Sequence, residues 1–166
     1  MMCFNRNAHP LSTRLAAAAL ALSAFAAAPS AALAAEVTVS VTKVSAIDKA
    51  DEFSKGDFYA RVTIDGETQS TQPIKQQNVD KPDWKISKKV KGGDVKVTLE
   101  ILDKDVAQDD LIDINRVDNK RSLDFTVSTK SCRISGFSSS YKCGATITRA
   151  GKEKKAAEVS FKVNVK

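Results

Sequence analysis

Apolar residues alternate with polar ones along most of this chain, and this period of two constrains its fold more than any other feature. The alternation is clearest at residues 37–41, 58–64, 95–101, 123–127 and 159–165, and weaker at 68–74, 84–90 and 145–149. Because successive side chains of a strand point to opposite faces, each such segment is expected to be a strand with one buried face. We predict an all-β fold, an antiparallel β-sandwich of about eight strands.

Two turn signals connect neighbouring segments. Asp65-Gly66 separates two alternating runs, and an Asp-Gly pair favours a tight hairpin because both residues tolerate a left-handed backbone. The sequence from Lys91 to Asp94 contains two glycines and predicts a second turn. Short turns of this kind favour antiparallel pairing of the strands that they join.

Residues 1–34 have the pattern of a secretory signal peptide. Two arginines and no acidic residue precede an alanine- and leucine-rich run at 15–28, and an Ala-Leu-Ala sequence ending at Ala34 supplies the small residues of a cleavage site. The run is too short to span a membrane, and we expect no transmembrane segment in the mature chain. The sequence therefore predicts cleavage after Ala34, one domain over residues 35–166, and a secreted or periplasmic protein of the bacterial exported type.

Removal of the signal peptide limits the chemistry of the domain. The only histidine, His9, leaves with it, and so does Cys3. This excludes Ser-His and Cys-His nucleophiles and histidine-based zinc sites. Cys132 and Cys143 remain, and two cysteines in an exported protein indicate one disulfide, with two independent buried thiols as the alternative.

Charge is distributed unevenly over the predicted domain. Residues 35–114 hold 12 basic and 16 acidic residues, whereas residues 115–166 hold 12 basic and 4 acidic residues. This asymmetry indicates two separate electrostatic surfaces, although a well-solvated surface also fits it. A basic C-terminal half is suited to an acidic partner.

The acidic residues crowd into two segments between predicted strands, which we call the first acidic segment (48–57) and the second acidic segment (103–113). They are Asp48, Asp51, Glu52, Asp57, Asp103, Asp105, Asp109, Asp110 and Asp113. Neighbouring carboxylates repel unless a cation neutralises them, and oxygen ligands without His or Cys favour Ca²⁺. The second segment is not an EF-hand, because Gln108 stands where that loop requires glycine.

Both acidic segments match the pattern of a known family in residue type and spacing. Asp51 is followed six positions later by an Asp-Phe-Tyr sequence that begins at Asp57, where the family has Asp-Pro-Tyr. In the second segment, Asp103 and Asp105 form the family's Asp-x-Asp, and Asp110 begins its Asp-x-Ile. A Pro-x-Trp sequence also precedes the fourth strand. The chain thus resembles the C2 domain, a calcium-dependent β-sandwich.

The resemblance implies calcium ligands and a topology. The implied Ca²⁺ ligands are Asp51, Asp57, Asp103, Asp105 and Asp110. The second segment is one residue shorter than the commonest form and has Asp113 in place of glycine, so Asp109 remains an alternative last ligand. One strand precedes the first acidic segment, which resembles the circularly permuted type II C2 topology.

The resemblance also implies a docking surface. C2 domains bind acidic lipid head groups through a lysine-rich strand, and the corresponding residues are Lys85, Lys88, Lys89 and Lys91. Protection of an edge strand by lysines is the alternative. Apolar loop tips of membrane-binding C2 domains insert into lipid, and Phe53 and Val106 stand at those places.

Two functions follow as expectations. The first is an exported, calcium-binding C2-like module that docks to anionic phospholipid or another polyanionic surface through calcium-bridged and lysine contacts. The second is a structural or protein-interaction β-sandwich in which calcium only rigidifies loops and the basic C-terminal half binds an acidic protein partner. We expect neither enzymatic activity nor nucleic-acid binding.

Overall fold

The computed structural model describes residues 34–47, 56–75 and 78–166, and the regular structure of these residues consists of β-strands. The strands are β1 (Ala34–Ala46), β2 (Asp57–Ile64), β3 (Glu67–Ser70), β4 (Ile74–Lys75), β5 (Asn78–Lys91), β6 (Asp94–Asp103), β7 (Asp110–Ile112), β8 (Leu123–Ser128), β9 (Arg133–Ser135), β10 (Tyr141–Lys142), β11 (Ile147–Ala150) and β12 (Ala157–Val165). The predicted all-β fold is confirmed. The described residues form twelve strands, more than the eight predicted, because pieces of two or three residues (β4, β7, β9 and β10) pair locally with longer strands.

The strands form two antiparallel sheets that pack as a sandwich. One sheet has the order β11-β12-β1-β5, and the other has the order β10-β9-β8-β6-β2-β3, with β4 on β2 and β7 on β6. The predicted type II connectivity is not tested by these pairings and stays a prediction.

The core lies between the inner faces of the two sheets. Its largest fully buried side chains include Phe58, Ile64, Leu99, Ile101 and Phe161. These residues occupy alternate positions of their strands, as the period of two requires. Burial of each contributes about 1.5–3 kcal/mol, which makes this interface the main source of stability.

Both predicted turns are present. β2 ends at Ile64 and β3 begins at Glu67, and Asp65 and Gly66 between them have φ angles of 48° and 78°. Two successive left-handed residues are the signature of a type I′ hairpin. β5 ends at Lys91 and β6 begins three residues later, across the predicted glycine turn.

The predicted disulfide pair closes the hairpin at one edge of the larger sheet. The sulfur atoms of Cys132 and Cys143 lie 2.01 Å apart and their Cα atoms 5.3 Å apart, within the range of a disulfide. The backbone N–H of Cys143 also donates to the carbonyl oxygen of Cys132 at 2.9 Å. Cys132 directly precedes β9 and Cys143 directly follows β10, and the two are 11 residues apart in sequence.

Several predicted features lie outside the described residues. These are the signal peptide up to residue 33, most of the first acidic segment, the ligand Asp51 and the loop-tip residue Phe53. The chain divides into the units Met1–Ser30 and Ala31–Lys166, and the described strands all belong to the second. The described residues include no helix of a length and hydropathy that would cross a membrane.

Candidate metal centre

Three of the predicted calcium ligands lie at one end of the larger sheet. β2 begins at Asp57, and the next residue, Phe58, lies opposite Asp103, where β6 ends. β7 begins at Asp110, which also lies opposite Asp103. Directly opposed residues of antiparallel strands have Cα atoms about 4.5–5.5 Å apart. Antiparallel pairing of β2, β6 and β7 therefore brings together acidic residues that are far apart in sequence.

Asp57 has a buried carboxylate oxygen without a protein partner. The Asp57 N–H donates to Oδ1 of Asp103 at 2.6 Å, and the Lys104 N–H donates to the Asp57 carbonyl oxygen at 3.1 Å. Oδ1 of Asp57, by contrast, is buried and accepts no hydrogen bond. Leaving such an acceptor unpaired costs about 1–3 kcal/mol or more for a charged group. A bound cation would satisfy it.

The pKa of Asp103 reflects burial first and the charges of neighbouring carboxylates second. Burial raises the pKa of Asp103, and the negative charges of Asp105, Asp57 and Asp110 raise it further. The hydrogen bond from the Asp57 N–H lowers this pKa and offsets part of the rise. Negative charge is thus concentrated at this end of the sheet, and a divalent cation would relieve the repulsion.

Gly56 leaves the space beside the Asp103 carboxylate open. A Cβ atom on Gly56 would lie 3.1 Å from Oδ2 of Asp103 and 2.9 Å from Cζ of Phe58. The second distance is shorter than any tolerable contact, so even alanine would displace the buried Phe58 ring or the backbone. The Phe58 ring and the Asp103 carboxylate therefore restrict position 56 to glycine.

Asp109 shapes the loop between β6 and β7. Its Oδ2 accepts the hydroxyl proton of Tyr59, and its Oδ1 accepts the Asp105 N–H at 3.1 Å. Burial, followed by the hydrogen bond and charge of Asp109, raises the pKa of Tyr59 to about 12. The same hydrogen bond lowers the pKa of Asp109. Both oxygens of Asp109 thus have protein partners. The sequence analysis did not identify Tyr59 as one of them.

Asp110 carries an ion pair with Lys155, whose Nζ donates to Oδ2 of Asp110. Within the described ranges, no three acidic, histidine or cysteine side chains are arranged to hold one metal ion as they stand. The predicted ligand Asp51 lies outside those ranges.

The donors that are present nevertheless fit Ca²⁺. They are oxygens, as a hard cation requires, and they include the unpaired Asp57 oxygen and the Asp103 oxygen beside Gly56. Asp57, Asp103 and Asp105 are the described predicted ligands that remain for an ion, although they are not arranged as a three-ligand group as they stand. Calcium would supply positive charge at this end of the sandwich and could bridge the carboxylates to an external anion.

Val106 lies in the loop between β6 and β7, at the same end of the sheet. Its relative exposure is 109%, the highest of the large apolar residues that stand exposed in the described part of the chain. The others are Ile47 at 46%, directly before the undescribed part of the first acidic segment, and Val117 at 55%. Val106 is thus exposed in the loop that contains Asp105 and Asp109, and its role in lipid contact stays a prediction.

The four predicted lysines do not form one surface. On β5, Trp84, Ile86 and Val90 point into the core, and Lys88 shares their face. Its Nζ donates to the carbonyl oxygens of Ile64 and Asp65 at 3.1 and 3.0 Å. Strand alternation thus leaves Lys88 half-buried, where it also pairs with Glu67, and its role in lipid binding stays a prediction.

Lys85, Lys89 and Lys91 lie exposed on the outer face of β5, which is an edge strand. The start of β5 lies opposite Ser45 at the acidic end of the sandwich, whereas Lys91 lies opposite Ala34 at the other end. At about 3.3 Å per residue, Lys91 is on the order of 40 Å from the start of its strand. The lysines thus extend along the side of the sandwich, away from the acidic end, which agrees with protection of an edge strand.

Comparisons with known proteins support the fold. No family model and no curated protein sequence matches the chain. Among solved structures, "Structure of a C2 domain" has a TM-score of 0.52 and 14% identity, and the match covers 79% of this chain and 97% of that one. The calcium-bound structure of two C2 domains of Extended-Synaptotagmin 2 has a TM-score of 0.51 and 10% identity over 78% of this chain and 45% of that one.

A third similar structure is human GIVD cytosolic phospholipase A2, with a TM-score of 0.52 and 15% identity over 80% of this chain. The match spans only 17% of the phospholipase chain. At these identities the likeness concerns the fold alone. The described residues form a C2-like β-sandwich.

Proposed function

We propose that this chain is an exported calcium-binding module that docks end-on to an anionic lipid surface. The observation that carries the proposal is the buried, unpaired Asp57 oxygen beside the crowded carboxylate of Asp103. A C2-like fold supports the same interpretation, since calcium-bound C2 domains are among the similar structures. The proposal assigns the chain no catalytic role.

Docking combines a metal bridge with one apolar contact in the described loops. Asp57, Asp103 and Asp105 would hold the ion, and calcium would supply the positive charge that neutralises the acidic end and attracts lipid phosphate. Burial of Val106 adds roughly 1.5–3 kcal/mol, which by itself gives weak and reversible attachment. Lys85 and Lys89 add about 1 kcal/mol each only if the sandwich tilts its side toward the surface.

Calcium binding is tested by thermal unfolding with calcium and with chelator. A site of extracellular type binds with a Kd of about 10⁻⁴–10⁻³ M. Calcium at about ten times Kd stabilises the folded state by about 1.4 kcal/mol. We expect Asp57→Asn to reduce the response strongly and Asp94→Asn, at the opposite end of β6, to leave it unchanged. Identical melting curves in several millimolar calcium and in chelator would refute calcium binding.

Membrane docking is tested by sedimentation with phosphatidylglycerol vesicles. We expect binding that requires calcium, weakens with salt and is absent with neutral phosphatidylcholine vesicles. Val106→Ser should reduce the bound fraction several-fold, whereas Val117→Ser, a matched change at another exposed valine, should not. If calcium stabilises the protein but vesicles never bind, calcium serves only to rigidify loops, and the protein-interaction function replaces this one.

Export is tested by expressing the full chain in a bacterium and sequencing the N-terminus of the periplasmic product. We expect this product to begin at Ala35. An uncleaved chain retained in the cytoplasm would contradict the export part of the proposal and leave the calcium site unaffected.

A further inference from the structure

A shallow depression beside β7 is lined mostly by cationic side chains. Its volume is about 370 Å³, and its lining consists of Asp110, Leu111, Arg121, Lys154 and Lys155. Three cationic side chains against one carboxylate leave this lining with a net charge of +2. Such a lining repels a metal cation and attracts an anion.

The depression lies at the same end of the sandwich as the candidate metal centre. Asp110 lies directly opposite Asp103 in the ladder between β6 and β7. β12 begins opposite Ala46, the last residue of β1, so the preceding loop with Lys154 and Lys155 is also at this end. An anion bound here would therefore be close to the acidic end that the proposed function turns toward lipid.

The one carboxylate of the lining is already paired. The Lys155 Nζ donates to Oδ2 of Asp110, so these two charges largely offset each other. Within the described ranges, no carboxylate forms an ion pair with Arg121 or Lys154. The charges of Arg121 and Lys154 are thus the excess positive charge of the depression.

Arg121 is held in place by the backbone around it. Its Nη1 donates to the Leu111 carbonyl oxygen at 2.9 Å, and its own carbonyl oxygen accepts the Ile114 N–H at 3.1 Å. A guanidinium group carries further N–H donors in a planar fork, which matches the oxygens of a phosphate group. The guanidinium group is therefore positioned beside the depression before any ligand arrives.

The loop that carries the two lysines is also fixed. Asp113 is buried, and its Oδ2 accepts the backbone N–H groups of Lys152 and Glu153, each at 2.8 Å. The Asp113 N–H donates to the Lys155 carbonyl oxygen, also at 2.8 Å. Because the backbone on both sides of Lys154 is held, binding of an anion orders little more than the side chains, which lowers its entropic cost.

We propose that this depression is an anion subsite that binds the phosphate group of an anionic phospholipid headgroup through Arg121 and Lys154. The choice of a lipid headgroup over free phosphate rests on the proposed function, which turns this end of the sandwich toward an anionic lipid surface. The subsite itself uses no metal ion. It therefore binds a soluble headgroup weakly in chelator and adds to vesicle attachment when calcium is present.

The first experiment maps headgroup binding on the ¹⁵N-labelled chain by NMR in chelator. The probes are glycerophosphoglycerol, the soluble headgroup of phosphatidylglycerol, and, in separate samples, inorganic phosphate. We expect glycerophosphoglycerol to cause saturable shifts at the amides of Leu111, Arg121 and Lys154. Arg121→Gln and Lys154→Gln should each weaken this binding by about tenfold, the loss of one charge-assisted hydrogen bond. Asp110→Asn should strengthen it several-fold, because it removes the negative charge from the lining.

The matched control is Lys120→Gln, which should leave headgroup binding unchanged. Lys120 is an exposed lysine of the loop that precedes Arg121, but it lines a different depression. Lys154 donates no described hydrogen bond, so Lys154→Gln keeps the test valid if Arg121→Gln disturbs the fold. Circular dichroism and the amide shifts of distant strands check the folding of each variant.

The second experiment repeats the sedimentation with phosphatidylglycerol vesicles in saturating calcium. We expect Arg121→Gln and Lys154→Gln to reduce the bound fraction several-fold and Lys120→Gln to change it little. The response of the melting temperature to calcium should be the same in Lys154→Gln and the wild type, which separates the subsite from calcium binding.

The outcomes separate this inference from the proposed function. If glycerophosphoglycerol causes no saturable shift in chelator, or if Lys120→Gln weakens its binding as much as Lys154→Gln does, the subsite is refuted. Binding of inorganic phosphate without binding of glycerophosphoglycerol refutes a lipid headgroup as the occupant. Headgroup binding at Arg121 and Lys154 in a protein that calcium does not stabilise supports the subsite and refutes the calcium-dependent function. Vesicle binding in calcium that neither variant reduces refutes the subsite and leaves the proposed function standing.

Discussion

Replacement of Asp113 by alanine tests how much the buried carboxylate contributes to stability. Among the described residues, Asp113 is the charged residue with no exposed surface. Alanine would remove the acceptor of three backbone N–H groups, those of Asn115, Lys152 and Glu153. The substitution thus combines lost hydrogen bonds with donors left unpaired.

The expected loss can be worked out from these contacts. A hydrogen bond to a charged group contributes about 1.5–3 kcal/mol, and water entering beside the exposed Lys152 backbone would recover part of it. We expect Asp113→Ala to lower the free energy of unfolding by about 3–5 kcal/mol, a large share of the roughly 5–15 kcal/mol of a typical domain. Asp113→Asn should lose about 1.5–3 kcal/mol, because its amide oxygen keeps one side of the network.

Urea unfolding of the oxidised protein, followed by tryptophan fluorescence, measures this loss through the midpoint at constant slope. The control is Asp118→Ala, which removes an exposed ion pair with Lys152 in the same region. Exposed pairs contribute about 0–1 kcal/mol, so the control should change little. If Asp113→Ala costs no more than Asp118→Ala, this carboxylate does not fasten the loop that contains Lys152 and Glu153.

Three further predictions concern the disulfide and the acidic end. Reduction of the Cys132–Cys143 bond should lower the free energy of unfolding by about 3 kcal/mol, the chain-entropy value for a loop of this size, and thiol alkylation of the oxidised protein should label neither cysteine. The pKa of Tyr59 is raised to about 12, so the contribution of this residue to stability is complete below pH 10 and is lost as the pH rises from 10 to 12. Absorbance titration should show a high phenol transition that Tyr59→Phe removes and Asp109→Asn shifts downward. The raised pKa of Asp103 means that its ionised form destabilises the folded protein when no metal is bound, so Asp103→Asn should raise the melting temperature in chelator at neutral pH and abolish the response to calcium. The difference in melting temperature between Asp103→Asn and the wild type should shrink as the pH falls through the pKa of Asp103. A lower melting temperature of Asp103→Asn in chelator would contradict the argument that burial and neighbouring charges destabilise this carboxylate.

The sequence by itself determined the features that depend on neighbouring residues. Strand alternation identified the long strands, and Asp65-Gly66 identified a hairpin, because side-chain direction and turn geometry are local properties of the backbone. The same alternation contained the signal that turns Lys88 inward, since it lies two residues from both Ile86 and Val90. The position of Asp57 and Asp103 at strand ends was likewise readable, and the resemblance to the C2 domain implied that they belong to one site.

Only the tertiary structure decided which partners the acidic residues have. Tyr59 and Asp109 are 50 residues apart, and Asp110 and Lys155 are 45 apart. Asp113 bonds to the N–H groups of a loop 39 and 40 residues away. These pairings depend on how the strands order themselves within the sheets and on which loops then meet at one end, a non-local outcome of packing that periodicity and spacing do not encode. The sequence, through its resemblance to the C2 domain, therefore predicted an acidic centre, and the assembled fold decided that one of its aspartates is paired with a lysine.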